Sequence, residues 1–387
     1  MSMSSGRIAI VGTGFVADLY MRSLAKYPGI TLVAAHDRRP ERLAAFAKHW
    51  TAPTADSLGA IFAAEDDARP DIILNLTNPD EHFAVSKACL EAGYPVYSEK
   101  PLATRMENAN TLHALAAERG LALASAPCSL LSEAGQAVVK AVHKETIGTP
   151  RLAYAELDDD FIPQAPYKRW ISESGAPWPY DDEFRVGCTL EHAGYYLTWL
   201  IGAFGPVERV VAASADILQD KEVTGDAAPD FSVGTLFFRS GMVARLTCSI
   251  IAPHNHQLRI IGDEGVLEID ECWSNTAAVR VRRRLNIRRK LINSPLAKRI
   301  RMPKNTHPKV GRRGAASMNF MLGPAEMLDA IKANRAPRLG GDFALHLNEV
   351  TLALQNAGRD TGVQVMTTTC EAPPAMPWAM ISEGGAI

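Results

Sequence analysis

The sequence predicts an α/β chain in two parts: a doubly wound parallel sheet, then an α+β domain on a large open, mostly antiparallel sheet. Three observations carry this. From Arg7 to Ser125 short apolar runs alternate with helical patterns, a glycine-rich turn joins the first run to the first helix, and after Ser125 the rhythm changes to long strand candidates joined by tight turns.

RIAIV, TLVAAH, DIILNL, PVYS and LALAS are continuous apolar runs, as strands covered on both faces require. Helices are expected between them at Phe15 to Ala25, Pro40 to Lys48, Pro79 to Ala92 and Arg105 to Arg119. Beyond Ser125 come a helix over Glu133 to Lys144, the strand RLAYAEL, and an irregular aromatic- and proline-rich stretch from Phe161 to Tyr180. A helical segment over Thr189 to Phe204 follows. The strand candidates VERVVAASADI, FSVGTLFFRSGMVARLTCSII and QLRIIGDEGVLEID then alternate, with Arg239-Ser240-Gly241 as a hairpin turn. The expected division is 1–126 and 127–387, with the final helix packing back on the first domain.

A chain of 387 residues is too long for one ordinary core. Hydrophobic residues make up 47% and charged residues 22%, and the apolar runs break well before the ~20 residues of a bilayer span, so no membrane span is expected. The opening MSMSSGRIAIVG lacks the ordered parts of a secretory signal, which makes a cytoplasmic location the expectation. A net charge of -2 argues against nucleic acid as a partner over the whole surface. Cys89, Cys128, Cys188, Cys248, Cys272 and Cys370 form no close pairs, and no metal site is expected. Arg280 to Arg313 is dense in Arg and Lys and reads as a solvated insertion. The alternatives are contact with a substrate phosphate through Arg282, Arg283 and Arg284, an anionic partner surface, and nucleic acid.

Gly12-Thr13-Gly14-Phe15-Val16-Ala17 follows a strand and opens a helix. In that setting the first glycine permits the tight turn, the second lets the backbone approach a pyrophosphate, and the small Ala17 lets helix pack on strand. The anion then lies at a helix N-terminus, where unpaired N–H groups favour negative charge. Asp37 ends the second strand, where a carboxylate accepts bonds from ribose hydroxyls and repels a 2′-phosphate. The cofactor expected is therefore NAD, with NADP as the alternative because Arg38 and Arg39 follow.

GTGFVA with Asp37, the Leu76-Thr77-Asn78-Pro79 turn with His82 behind it, and Glu99-Lys100-Pro101-Leu102-Ala103 together resemble the Gfo/Idh/MocA oxidoreductases, named for glucose-fructose oxidoreductase and inositol dehydrogenase. The resemblance extends to the glycine-led GCTLEHAGYY before Gly205-Pro206-Val207 and to the closing DFALHLNEVTLALQNAGRDTGVQV, leaving only the basic stretch outside it. It implies a Rossmann domain whose cofactor contacts are Gly12, Thr13, Gly14, Phe15, Val16, Asp37, Arg38, Thr77, Asn78, Pro79, His82, Glu99 and Lys100. It also implies Lys100 beside the substrate hydroxyl. The family commonly carries Asp, three residues, then His on the second-domain helix, the His acting as base. Here those positions fall on Glu191 and Tyr195, while a second register, which disturbs both flanks, puts Cys188 and His192 there.

Oxidising a secondary alcohol needs a base for the hydroxyl proton. Tyr195, its pKa lowered by a nearby Lys100 cation, and His192 are the two candidates, and Glu191 shares their helix face. Tyr167, Lys168, Arg169, Trp170 and the turn Trp178 to Asp182 suit a polyhydroxylated ring, or equally a domain-packing loop. The reading is a dehydrogenase or reductase of a sugar, cyclitol or nucleotide sugar, acting as a homodimer or homotetramer paired through the outer sheet face. The alternatives are a lyase or glycosidase using transient oxidation by NAD, and a non-catalytic NAD-binding regulator.

Overall fold

The computed structural model describes residues 4–219, 221–303, 305–311, 314–358 and 362–380. Strands β1 (Gly6–Val11), β2 (Ile30–His36), β3 (Ile72–Asn75), β4 (Val96–Ser98) and β5 (Leu123–Ser125) pair in parallel in the order β2-β1-β3-β4-β5. Ile8, Ala9, Ile10, Ile72, Ile73 and Leu74 are all fully buried, so both sheet faces are covered and the apolar runs are continuous. The connections carry α1 (Phe15–Leu24), α2 (Pro40–Trp50), α3 (Leu58–Phe62), α4 (His82–Glu91) and α5 (Met106–Glu118). Strand order reverses beside β1, and ligands of such sheets bind outside the carboxyl ends of the strands at that point.

After α6 (Glu133–His143), β6 (Pro150–Asp158) enters a ten-stranded sheet with β7 (Val207–Ala215), β8 (Phe231–Phe238), β9 (Val243–Ser249), β10 (Leu258–Gly262), β11 (Gly265–Ile269), β12 (Arg280–Ile287), β13 (Lys290–Asn293), β14 (Lys298–Arg299) and β15 (Val363–Val365). The order is β13-β12-β11-β10-β6-β9-β8-β7-β15, with β14 on β12. All pairs are antiparallel except β6 with β9. In β9 the buried Ala244, Leu246 and Cys248 alternate with partly exposed residues, the pattern of a sheet covered on one face.

The segment expected as one helix over Thr189 to Phe204 is two pieces, α8 (Cys188–His192) and α9 (Gly194–Phe204), and α7 (Tyr180–Val186) precedes them across Gly187. The φ of Gly187 is +98°, and a Cβ there would strike the Gln355 side chain. Helix α9 is buried on every side, Trp199 fully, which suits its apolar sequence.

Two helices close the chain. α10 (Leu322–Lys332) inserts Met321, Ala325, Met327 and Leu328 into the core that holds Ile8, Ile10, Leu74 and Tyr97 of the parallel sheet. α11 (Asp342–Gln355) packs Phe343, Leu347, Val350 and Leu354 on the large sheet and Ala344 and Leu345 against the α5 side of the first.

The basic stretch departs from its expected form as an insertion. It builds β12, β13 and β14 at the edge of the large sheet, where a charged strand is tolerated because one side stays in water. Lys304, Arg312 and Arg313 of that stretch, like Arg359, Asp360 and Thr361 near the end, lie outside the described residues. Among the described residues no helix is long and apolar enough to cross a membrane.

Candidate active site

A cleft of about 630 Å³ runs from the carboxyl ends of the parallel strands to α8 and the irregular stretch before α7. Its floor is the turn from β1 into α1. Gly12 has φ +93°, and a Cβ there would lie 2.6 Å from the Leu76 carbonyl oxygen and 2.7 Å from Thr77 N, so only glycine lets this turn cross the one after β3. Gly14 is different: a Cβ on it would meet nothing within 4 Å, because it faces the open cleft. No side chain caps α1, so its first N–H groups stay available to an anion. Phe15 and Val16 line the same floor, and this open, uncapped cradle fits a dinucleotide pyrophosphate.

Asp37 does not take the place expected of it. Its carboxylate accepts bonds from Thr13 N at 2.9 Å, Thr13 Oγ1 at 3.0 Å and Arg39 N at 2.9 Å, and it does not line the cleft. Burial alone would raise its pKa, but these Thr13 and Arg39 donors hold it below the usual carboxylate value. Asp37 thus ties the glycine turn to the end of β2. Arg38 turns outward to Glu81 at 2.7 Å, and Arg39 is the arginine that lines the cleft.

Thr77, Asn78 and Pro79 line the wall as expected, held from behind by Asn75, whose Oδ1 accepts from Thr77 Oγ1 at 2.6 Å. His82 is corrected from cofactor contact to support. It is fully buried, with Nδ1 2.7 Å from Pro101 O and Nε2 2.9 Å from Thr77 O, and so braces the β3 turn against the Glu99-Lys100-Pro101 turn.

Glu99 accepts from Tyr20 OH at 2.7 Å and from Lys100 N at 3.0 Å, which leaves the Lys100 side chain reaching into the cleft. Its ammonium meets the buried Glu191 carboxylate of α8. Burial opposes the Lys100 charge, yet Glu191 and Glu183 raise its pKa, and the lysine is a permanent cation. Glu183, from α7, was not anticipated. Burial and then the Glu191 charge push its carboxyl well up, while Lys100 and a hydrogen bond from Glu183 hold Glu191 down against its own burial. Of the two carboxyls, Glu183 is the one held toward its protonated form.

Lys100 and Tyr195 were expected to act as a unit with the tyrosine pKa lowered. Lys100 does pull in that direction, but burial outweighs it and raises the Tyr195 phenol. His192 lines the cleft with Nε2 3.1 Å from Asp159 Oδ2 and Nδ1 3.0 Å from Cys188 O. Asp159, just past β6, is a second residue sequence reasoning missed. Burial would raise its carboxyl, but His192, His256 and His254 hold it low.

The far wall is aromatic. Trp170, Trp178 and Trp273 line it, the first two 5.1 Å apart, whereas Tyr167 is buried beneath and Lys168 turns out to Glu222. The same stretch is pinned across the glycine turn. Ser174 N and Oγ donate to Asp18 Oδ2 at 2.7 and 2.9 Å, and Arg42 bonds Thr13 O and Ser174 O, both at 2.9 Å. None of Arg282, Arg283 and Arg284 lines the cleft; Arg282 Nε bonds Glu268 at 2.7 Å.

A doubly wound domain with this cradle, facing a lysine at a strand end, defines a nicotinamide-dependent oxidoreductase. Residues 6–126 match the family model for the oxidoreductase family with an NAD-binding Rossmann fold, and 136–268 match the GFO/IDH/MocA C-terminal domain. The chain belongs to the Gfo/Idh/MocA family and is an enzyme that acts on CH–OH groups with NAD(P). Trans-1,2-dihydrobenzene-1,2-diol dehydrogenase of Mus musculus is 25% identical over 70% of this chain and 77% of its own. Inositol 2-dehydrogenase 3 of Saccharopolyspora erythraea is 27% identical over 46% of this chain and 54% of its own. Among solved structures, the WlbA dehydrogenase from Bordetella pertussis, in complex with NADH and UDP-GlcNAcA, superposes with a TM-score of 0.71 at 19% identity, covering 95% of this chain and 99% of that one. At that identity the likeness speaks for the fold.

Proposed function

We propose that the chain moves a hydride between a nicotinamide cofactor and a secondary alcohol or ketone carbon of a neutral sugar or cyclitol. The observation that carries this is that Lys100 and His192 open onto the cleft that Gly14 leaves free. Gly12, Thr13, Gly14, Phe15 and Val16 would hold the pyrophosphate, with Thr77, Asn78, Pro79 and Glu99 along the wall. When bound, the nicotinamide supplies the hydride acceptor or donor. Lys100 directs its charge at the substrate oxygen and stabilises negative charge there, Glu191 fixes the ammonium, and His192, its Nδ1–H held on Cys188 O, turns Nε2 from Asp159 to the substrate oxygen, to give a proton to the ketone or, as the neutral ring, to take one from the alcohol. Tyr195 lines the cleft from α9. Asp37 stays ionised at the end of β2, which favours NAD over NADP.

The choice of a neutral substrate rests on charge. Away from the cradle at α1, Glu99, Asp159, Asp160, Asp182 and Glu191 line the cleft against the two cations Arg39 and Lys100, and Glu191 already takes up the lysine's charge, a balance that disfavours a second diphosphate on the substrate. The tryptophan wall suits the C–H faces of a ring. This ranks the sugars and cyclitols above nucleotide sugars. Division of the chain at 126 belongs to the same proposal, as does a homo-oligomer through the outer sheet face where Val211, Val363 and Val365 are exposed.

The test is nicotinamide absorbance of the purified protein with NAD and a panel of cyclitols, aldoses and UDP-sugars. Turnover of neutral polyols is expected. Turnover confined to UDP-sugars would overturn the substrate class. Cleavage of a glycoside with no net change in nicotinamide would select the transient-oxidation reading, and NAD binding with no turnover of any kind would overturn the mechanism.

A further inference from the structure

Beside the cleft, the turn between β9 and β10 carries His254 and His256, and the chain leaving β6 presents Asp159. One donor atom from each lies within 4.8 Å of the other two. We propose that Asp159, His254 and His256 bind a divalent transition-metal ion of the zinc class.

Glu271 shares its two oxygens between the rings: Oε1 lies 3.0 Å from His256 Nδ1 and Oε2 3.2 Å from His254 Nε2. A carboxylate only accepts, so each of those nitrogens carries the proton. The lone pairs then sit on the opposite nitrogens. His256 Nε2 is buried and makes no hydrogen bond among the described residues, and His254 Nδ1 faces Asp159 Oδ1 at 3.8 Å. The lone pair of His254 thus faces the Asp159 carboxylate, and that of His256 lies buried without a donor, an arrangement that attracts a cation.

An outer carboxylate that holds the N–H of a ligating histidine is the usual partner of a bound transition metal, and Glu271 does this for both rings at once. Two imidazoles and one carboxylate suit zinc-class ions better than magnesium or calcium, which take oxygen. Tetrahedral coordination at ~2.0 Å sets ligand atoms roughly 3.3 Å apart, so the 3.8 Å gap needs only a small turn of the half-exposed His254 ring. Two carboxylates, Asp159 and Glu271, would balance the ion's charge.

The ion would anchor one oxygen of Asp159 while the other stays on His192. That consequence rests on the function proposed above, but metal binding does not, and the experiment reads binding alone. The untagged full chain is stripped with chelator and titrated with cobalt chloride, followed by calorimetry and visible d–d absorption. One equivalent is expected to bind, His254→Ala to abolish it, and Glu271→Gln to weaken it roughly tenfold or more. His254 is on the surface, so its variant folds, and NAD binding verifies that. Cys272→Ser should bind cobalt as the wild type does. No binding by the wild type, or unchanged binding in His254→Ala, overturns the proposal. Loss in Cys272→Ser with His254→Ala unaffected would move the ion to the neighbouring His256, Glu271 and Cys272 group and equally overturn it.

Discussion

Replacing Lys100 with Met tests the cleft twice, through stability and through rate. The ammonium is the partner of Glu191, which is 4% exposed and lies beside the raised Glu183 carboxyl. Without the cation Glu191 does not stay ionised in that setting; it takes up a proton. Neutralising a carboxyl of reference pKa ~4.3 at pH 7 costs about 3.7 kcal/mol, at about 1.36 kcal/mol per unit, and this caps the destabilisation from the stranded charge. In the variant the folded pKa of Glu191 rises above the unfolded value, so the unfolded chain sheds the proton more readily and the cost grows with pH above ~4.3. At pH 5 the same ceiling is only about 1 kcal/mol. Urea melts read by tryptophan fluorescence should therefore show a variant-to-wild-type gap of up to about 3.7 kcal/mol at pH 7 that shrinks to no more than about 1 at pH 5. Lys100→Met with Glu191→Gln should recover most of the stability, yet turnover should stay reduced by on the order of 10² to 10⁴. An equal gap at both pH values, or no recovery in the double variant, refutes the electrostatic account; full turnover in Lys100→Met refutes the lysine's role.

His346 Nε2 accepts the Val207 N–H at 3.0 Å, and burial lowers its pKa to about 4. With the folded value below the unfolded ~6.5, its contribution is intact above pH 6.5 and lost as pH falls toward 4, about 3 kcal/mol over the window. Histidine NMR titration checks the pKa, and His346→Gln should flatten that part of the stability profile. Gly14→Val should leave the melting temperature nearly unchanged while weakening NAD binding at least about tenfold, whereas Gly12→Ala should cost roughly 1 to 3 kcal/mol of stability. Calorimetry of both variants separates the two glycines, and comparable NAD affinity in Gly14→Val would count against the cradle. Alanine at Arg282, Arg283 and Arg284 should leave kcat/KM unchanged, since none reaches the cleft; a fall would return them to substrate contact.

The parallel domain was legible because its signals are local: continuous apolar strands, a glycine turn at a strand end, a lysine closing the fourth strand. Gly14 and Lys100 stand where that logic put them. Asp37 was read for what it offers a ligand, but its nearest donors are Thr13 and Arg39 of its own chain. Removing it would loosen the glycine turn as well as the pocket, so it is no clean specificity switch. Asp159 and Glu183 were invisible because one carboxylate within an acidic run, Asp158 to Asp160 or Asp181 to Glu183, looks like any solvated one until folding brings it to His192 or Glu191. Tyr195 shows a similar limit, since the depth of burial that raises its pKa belongs to tertiary packing. In β12 the arginines obscured the apolar positions Val281, Leu285 and Ile287, which share one face of the strand.

The helix that returns to the first sheet has a consequence for how the molecule is made. The last strand of that sheet ends at Ser125, yet Met321, Ala325, Met327 and Leu328 complete the core around Ile8, Ile10 and Tyr97. At a synthesis rate of ~5 to 20 residues per second, the nascent sheet waits on the order of 10 to 40 seconds for them, with an apolar face bare at the ribosome exit. During that interval the amino-terminal part is a natural client for a chaperone, and a messenger truncated anywhere before α10 would release a sticky, unfinished product.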